Sequence, residues 1–105
     1  MKQPTIKIAE RRGFHPESVE VHLNKSAIEL IKSDFIAFFM GENGLVMRIP
    51  SVKDKAYKIS KHTQIYKKKE YNSSAKFTPL VKKSKKIMGK YAIERRGNNF
   101  KLAKQ

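Results

Sequence analysis

The chain has 105 residues, 39% of them hydrophobic, which suffices for one small core and argues against wholesale disorder. Twenty-four lysines and arginines against nine acids give a net charge of +15, so the expected partner is a polyanion, nucleic acid before an acidic membrane. The absence of cysteine excludes disulfides, thiol nucleophiles and thiolate metal sites, and the longest apolar run, residues 35–40, is far too short to span a bilayer.

Thr5-Ile6-Lys7-Ile8-Ala9 alternates and predicts a first strand, and His15-Pro16 marks a turn because the residue before proline avoids the helical region. Val19, Val21 and Leu23 alternate with Glu20 and His22, predicting a strand with the three apolar residues inward. Residues 24–29 then open a short helix in which Ser26 and Glu29 have capping-box spacing. Ile28, Leu30 and Ile31 form its buried side, and Ser33-Asp34 ends it. Two apolar runs, residues 35–40 and 45–49, flank Gly41-Glu42-Asn43-Gly44, the strongest hairpin signal in the chain because Asn-Gly tolerates positive φ. Pro50 stops the second run by removing a ladder donor.

Residues 55–59 and 63–67 read as two further strands, followed by a polar segment around Asn72-Ser73-Ser74. A second helix is predicted from Thr78 as N-cap and Pro79 at the first helical position to Gly89 just past the end. On a helical wheel Leu80, Val81, Ser84, Ile87 and Met88 share one side, and Lys82, Lys83, Lys85 and Lys86 the other. Residues 90–95 and 100–103 flank Arg96-Gly97-Asn98-Asn99 as a second hairpin. The expected fold is therefore α+β, one domain over residues 1–105: a small β-barrel-like sheet built from two strand–helix–hairpin units with two short helices. Asn24-Lys25-Ser26-Ala27 is echoed by Asn72-Ser73-Ser74-Ala75, which suggests an internal duplication with a near-neutral unit at 17–50 and a basic one at 63–105.

The charge is unevenly divided. Residues 1–50 hold seven bases and six acids, so residues 51–105 hold seventeen bases and three acids. Exposed helices normally interleave glutamates with lysines, yet no acid lies between Thr78 and Lys90. Lysines crowded without counter-charge repel one another, so a bound polyanion explains them better than a solvated face does. The expected nucleic-acid-binding residues are Lys67, Lys68, Lys69, Lys82, Lys83, Lys85, Lys86, Lys90, Arg95, Arg96 and Lys101. Lysine dominance implies phosphate contact with little sequence selectivity. Among the nearby aromatics, Tyr71 alone sits in a polar segment where it could stack on a base.

Residues 19–49 resemble the AbrB/MazE-type swapped-hairpin, or cradle-loop barrel, DNA-binding domain. The likeness runs over Val21-His22-Leu23-Asn24-Lys25-Ser26-Ala27-Ile28-Glu29-Leu30-Ile31, then Phe35-Ile36-Ala37-Phe38-Phe39 and Gly41-Glu42-Asn43-Gly44-Leu45-Val46-Met47-Arg48. It implies a barrel made by two interlocking units, a homodimer, and DNA ahead of RNA as partner.

No enzyme is expected. His15, His22 and His62 are scattered without metal-ligand spacing, the glycines are isolated turn residues, and no acid is paired with a base for catalysis. No cofactor and no metal are expected. Two functions of different class follow: a DNA-binding regulator or accessory protein, or a structural component of a nucleic-acid-containing assembly such as a phage particle or ribosome-like complex, whose basic half neutralises nucleic acid or docks on an acidic partner. No secretion leader is seen, so the expected location is the cytoplasm or the interior of such a particle. A membrane-surface helix over residues 79–88 is the weakest alternative, since its apolar residues are needed for the core.

Overall fold

In the computed structural model, residues 3–11, 18–42, 44–66 and 69–105 are described. They form β1 (Thr5–Glu10), β2 (Val19–Asn24), α1 (Lys25–Ile31), β3 (Phe35–Gly41), β4 (Gly44–Arg48), β5 (Tyr57–Lys58), β6 (Ser60–Tyr66), β7 (Lys69–Phe77), β8 (Gly89–Arg96) and β9 (Asn99–Lys104). The nine strands make one sheet in the order β5-β3-β4-β9-β8-β1-β2-β7-β6, with every neighbouring pair antiparallel.

The outermost strands of that order, β5 and β6, are separated in sequence by Ile59 alone. A chain that leaves one edge and enters the other within a single residue forces the sheet to curl until its edges meet, giving a nearly closed, barrel-like form. The seam is stitched from both sides. Ile59 N donates to Asp34 O at 2.9 Å, and Lys61 Nζ reaches Asp34 Oδ1 at 2.9 Å. The Tyr57 ring stacks on Phe77 with centroids 6.4 Å apart, while Phe38 meets Phe77 edge-on at 5.5 Å.

Period-2 alternation fills the interior. Ile6 and Ile8 of β1, Val19, Val21 and Leu23 of β2, Ile36 and Phe38 of β3, Tyr91 and Ile93 of β8 and Phe100 of β9 are all buried in one core cluster. Each large aliphatic or aromatic side chain so placed contributes roughly 1.5–3 kcal/mol relative to exposure. The first strand, the inward set of β2 and both hairpins stand where the sequence pattern puts them.

The short helix α1 has seven residues, too few to persist alone in water. It buries Ala27 and Ile31 and packs against β1, β2, β7 and β8. Its N-cap is Asn24 rather than the expected Ser26: Asn24 Oδ1 accepts from Ala27 N at 2.8 Å and from Thr5 N at 3.1 Å, while Nδ2 donates to Gln3 O at 2.8 Å. At the other end Lys32 takes a left-handed conformation, φ 50° and ψ 34°, and donates to Ile28 O.

The expected α+β class with two helices is corrected: the fold is mostly β, 57% strand and 8% helical, and α1 is the one helix among the described residues. Residues 79–88 form an irregular loop between β7 and β8, not a second helix. Pro79, Val81 and Ile87 are buried, whereas Leu80 is 69% exposed, so the apolar side of the predicted wheel is split. A turn around Ser84 accepts the N–H groups of Ile87 and Met88. The physical reason lies in the same lysines that drew the wheel. A helix would stack Lys82 over Lys85 and Lys86, and Lys83 over Lys86, at repulsive three- and four-residue spacings, with too few turns to compensate. The loop instead anchors through Val81 and Ile87 and spreads the lysines outward.

Asn72-Ser73-Ser74-Ala75 likewise lies within β7, where Ser74 is the register partner of Asn24, so the echo of the α1 start opens no helix. The turn expected at His15-Pro16 lies outside the described residues.

Candidate nucleic-acid interface

The loop 79–88 is held rigidly at its base. Tyr91 Oη donates to Ile87 O at 2.8 Å, and Lys104 Nζ donates to Lys86 O at 3.1 Å. Burial pushes the Tyr91 hydroxyl above its ordinary pKa, so it stays a donor throughout the neutral range. Lys82 forms a backbone bridge with Ser18, and Lys83 is ion-paired with Glu10. Lys82, Lys85 and Lys86 are exposed. Among the described residues their ammonium groups have no carboxylate partner.

The neighbouring sheet surface adds a second element. In the β1–β8 ladder Lys7 stands opposite Lys90, in β1–β2 it stands opposite His22, and in β2–β7 His22 stands opposite Lys76. All four are exposed on the outer face. The result is a straight cross-strand row, Lys90–Lys7–His22–Lys76, with about 4.8 Å between neighbours and about 14 Å from end to end along the backbone. His22 Nε2 lies 3.1 Å from Glu20 Oε2, the one carboxylate bonded to the row among the described residues. Lys7, Lys76 and Lys90 have no ion pair among the described residues. Directly opposed like charges destabilise a sheet, so the Lys7–Lys90 pair is a cost the fold carries.

The row borders an open depression of about 1090 Å³ lined by Lys7, Ala9, Glu10, Arg11, Glu20, His22 and Lys76. Glu10, the partner of Lys83, is three residues beyond Lys7 on β1. The lysine loop therefore lies about 10 Å along the strands from the row, and the two make up a basic field in which Glu10 and Glu20 are the carboxylates lining the depression.

The expected binding residues are not all gathered there. Lys82, Lys83, Lys85, Lys86 and Lys90 share the field, but Arg95, Arg96 and Lys101 sit at the far end of β8 and start of β9, about 20 Å away along β8. At that end Glu94 is the register partner of Lys101 and lies 3.7 Å from Arg96. Arg95 Nη1 donates to Leu30 O at 3.1 Å and Ile31 O at 2.8 Å, its Nε donates to Gly97 O, and its guanidinium lies 5.7 Å from the Phe100 ring centre. That group satisfies the last carbonyls of α1, where a cation is favoured. Lys67 and Lys68 lie outside the described residues, as do the side chains of Lys69 and Tyr71.

Lys7, His22 and Lys76 were not expected in a site. Their outward position was legible from the alternation Ile6-Lys7-Ile8 and Ala75-Lys76-Phe77, but their alignment depends on which strands pair.

Among the described residues, no group of three or more histidine, aspartate or glutamate side chains is placed to hold a metal ion, and no helix is long and apolar enough to cross a membrane. Comparison with protein-family models, curated proteins and solved structures finds no match.

Proposed function

We propose that this is a non-enzymatic nucleic-acid-binding protein, a regulator or accessory protein that holds its partner through phosphate contacts from the basic field. The single observation that carries the reading is the Lys7–Lys90 pair: two lysines directly opposite each other on neighbouring strands, neither of them in an ion pair among the described residues. Such a pair lowers the stability of the free protein and becomes favourable once an anion lies across it. The exposed Lys82, Lys85 and Lys86, without an ion pair among the described residues, extend the same chemistry along the barrel. Compact ammonium groups suit phosphate oxygens, whereas arginine and amide side chains suit base edges, so the expected binding is steeply salt-dependent and weakly sequence-selective. The likeness of residues 19–49 to the AbrB/MazE-type domain agrees with DNA as partner and belongs to the same proposal.

The test is fluorescence anisotropy with mixed-sequence DNA at 0.1 M salt. Lys82→Glu, Lys85→Glu and Lys86→Glu together lower the affinity by about 100-fold. An affinity unchanged by the triple reversal, with the fold intact by circular dichroism, overturns the reading.

A further inference from the structure

We infer that the outer face of β8, β1, β2 and β7 takes the two sugar–phosphate backbones of a double helix across one groove. The inference rests on the nucleic-acid reading above and adds the form of the partner and a site on the sheet itself.

The shape of the charge is the first ground. The row runs across the strands for about 14 Å, and the lysine loop lies about 10 Å away in the perpendicular direction, so the cations occupy an area and not a line. A single strand offers one line of phosphates and would leave either the row or the loop unneutralised. A duplex offers two phosphate chains separated by a groove, about 12 Å across for the major groove of B-DNA, which is close to the distance between Lys90 and Lys76 at the two ends of the row.

The second ground is what the face lacks. Proteins that hold single strands supply aromatic rings on which successive bases stack. Among the described outward residues, Ala9, Ala92 and Ser74 lie two positions along the strands from Lys7, Lys90 and Lys76, and His22 is the one ring in the row. The rings of Phe77 and Tyr91 on these same strands point into the core, and Phe38 and Phe100 join them there. A surface of short side chains beside long lysines admits a cylinder from outside, and its one described ring, His22, is engaged with Glu20. The row also holds no arginine, asparagine or glutamine to read base edges, so the contact is to backbone.

The experiment compares the wild-type chain with Lys7→Gln/Lys76→Gln/Lys90→Gln, binding 20-base-pair DNA, 20-base-pair RNA and a 20-nucleotide single strand between 50 and 200 mM salt. The wild type binds both or one of the duplexes more tightly than the single strand, and the two duplex arms separate DNA from RNA. In the triple variant the slope of log affinity against log salt on the preferred duplex falls by about 2.7, three phosphate contacts at roughly 0.9 each. Thermal melting confirms that the variant folds, because the replaced side chains are exposed. Tighter wild-type binding to the single strand overturns the inference, as does a duplex slope unchanged by the triple variant. If the slope stays put while reversal of the loop lysines still weakens binding, the duplex site on the sheet is wrong and the nucleic-acid reading stands. If neither change matters, both fail.

Discussion

On the β3–β4 side of the barrel, Arg48 is gripped by Asp54 through two bonds, Nε to Oδ2 at 2.9 Å and Nη2 to Oδ1 at 2.7 Å, while its guanidinium lies 5.0 Å from the Phe39 ring centre. Ser51 N and Oγ donate to the same carboxylate, so residues 49–56 are strapped onto the sheet. On the β8–β1–β2–β7 side Lys90, Lys7 and Lys76 stand in line with no such partner among the described residues. Arg48 serves the fold and is satisfied by internal acceptors. The lysines of the row, proposed to meet the partner, have no ion pair among the described residues. Arg95, at the end of α1, belongs with Arg48 in this division even though its sequence neighbourhood is the basic half.

The division predicts opposite signs for stability and binding. The largest stability effect is expected at Arg95. Arg95→Met keeps the stem over Phe100 but strips the last carbonyls of α1 of their donor, lowering unfolding free energy by about 2 kcal/mol while leaving DNA affinity within about twofold. Urea denaturation and anisotropy on the same preparation check both halves, and a stable variant with lost affinity would break the comparison.

At Lys7 the change is smaller and reversed. Lys7→Gln removes one member of the opposed pair and raises stability by about 0.5 kcal/mol, while weakening nucleic-acid binding. A fall in stability would mean that Lys7 has a structural role.

The mildest effect concerns acid. The guanidinium of Arg48 holds the Asp54 carboxyl well below the usual carboxylate range. A depressed folded-state pKa stabilises above the ordinary carboxylate value near 4 and loses that contribution as pH falls below it. Asp54→Asn therefore lowers the melting temperature at pH 7 and makes its decline between about pH 4 and 2 shallower than in the wild type. Parallel declines would show that the strap does not titrate.

Much of the framework is written locally. The alternation of Val19, Val21 and Leu23 sets which face of β2 is buried, because a strand side chain has only two sides to choose between. The hairpins closed by Gly44 and Gly97, at φ 120° and 63°, follow from residues that tolerate positive φ. The second helix misled for a reason of the same kind. Its end signals were sound, but burial of Pro79 and Val81 on one side of the loop and Ile87 on the other outweighed helical propensity in a segment where lysines repel.

The opening charge of +15 and its lopsided distribution were fixed by composition, and with them the class of partner to expect. Where the proposed site gathers that charge was decided by topology. Strands β1 and β2, from the near-neutral half, are inserted between β8 and β7 from the basic half, so Lys7 and His22 complete a row whose ends are Lys90 and Lys76. The same packing draws Arg95 out of the basic half and onto the end of α1. Residues up to 87 positions apart become neighbours at a strand spacing, and no local pattern carries that information, because pairing is selected by the whole barrel burying one core.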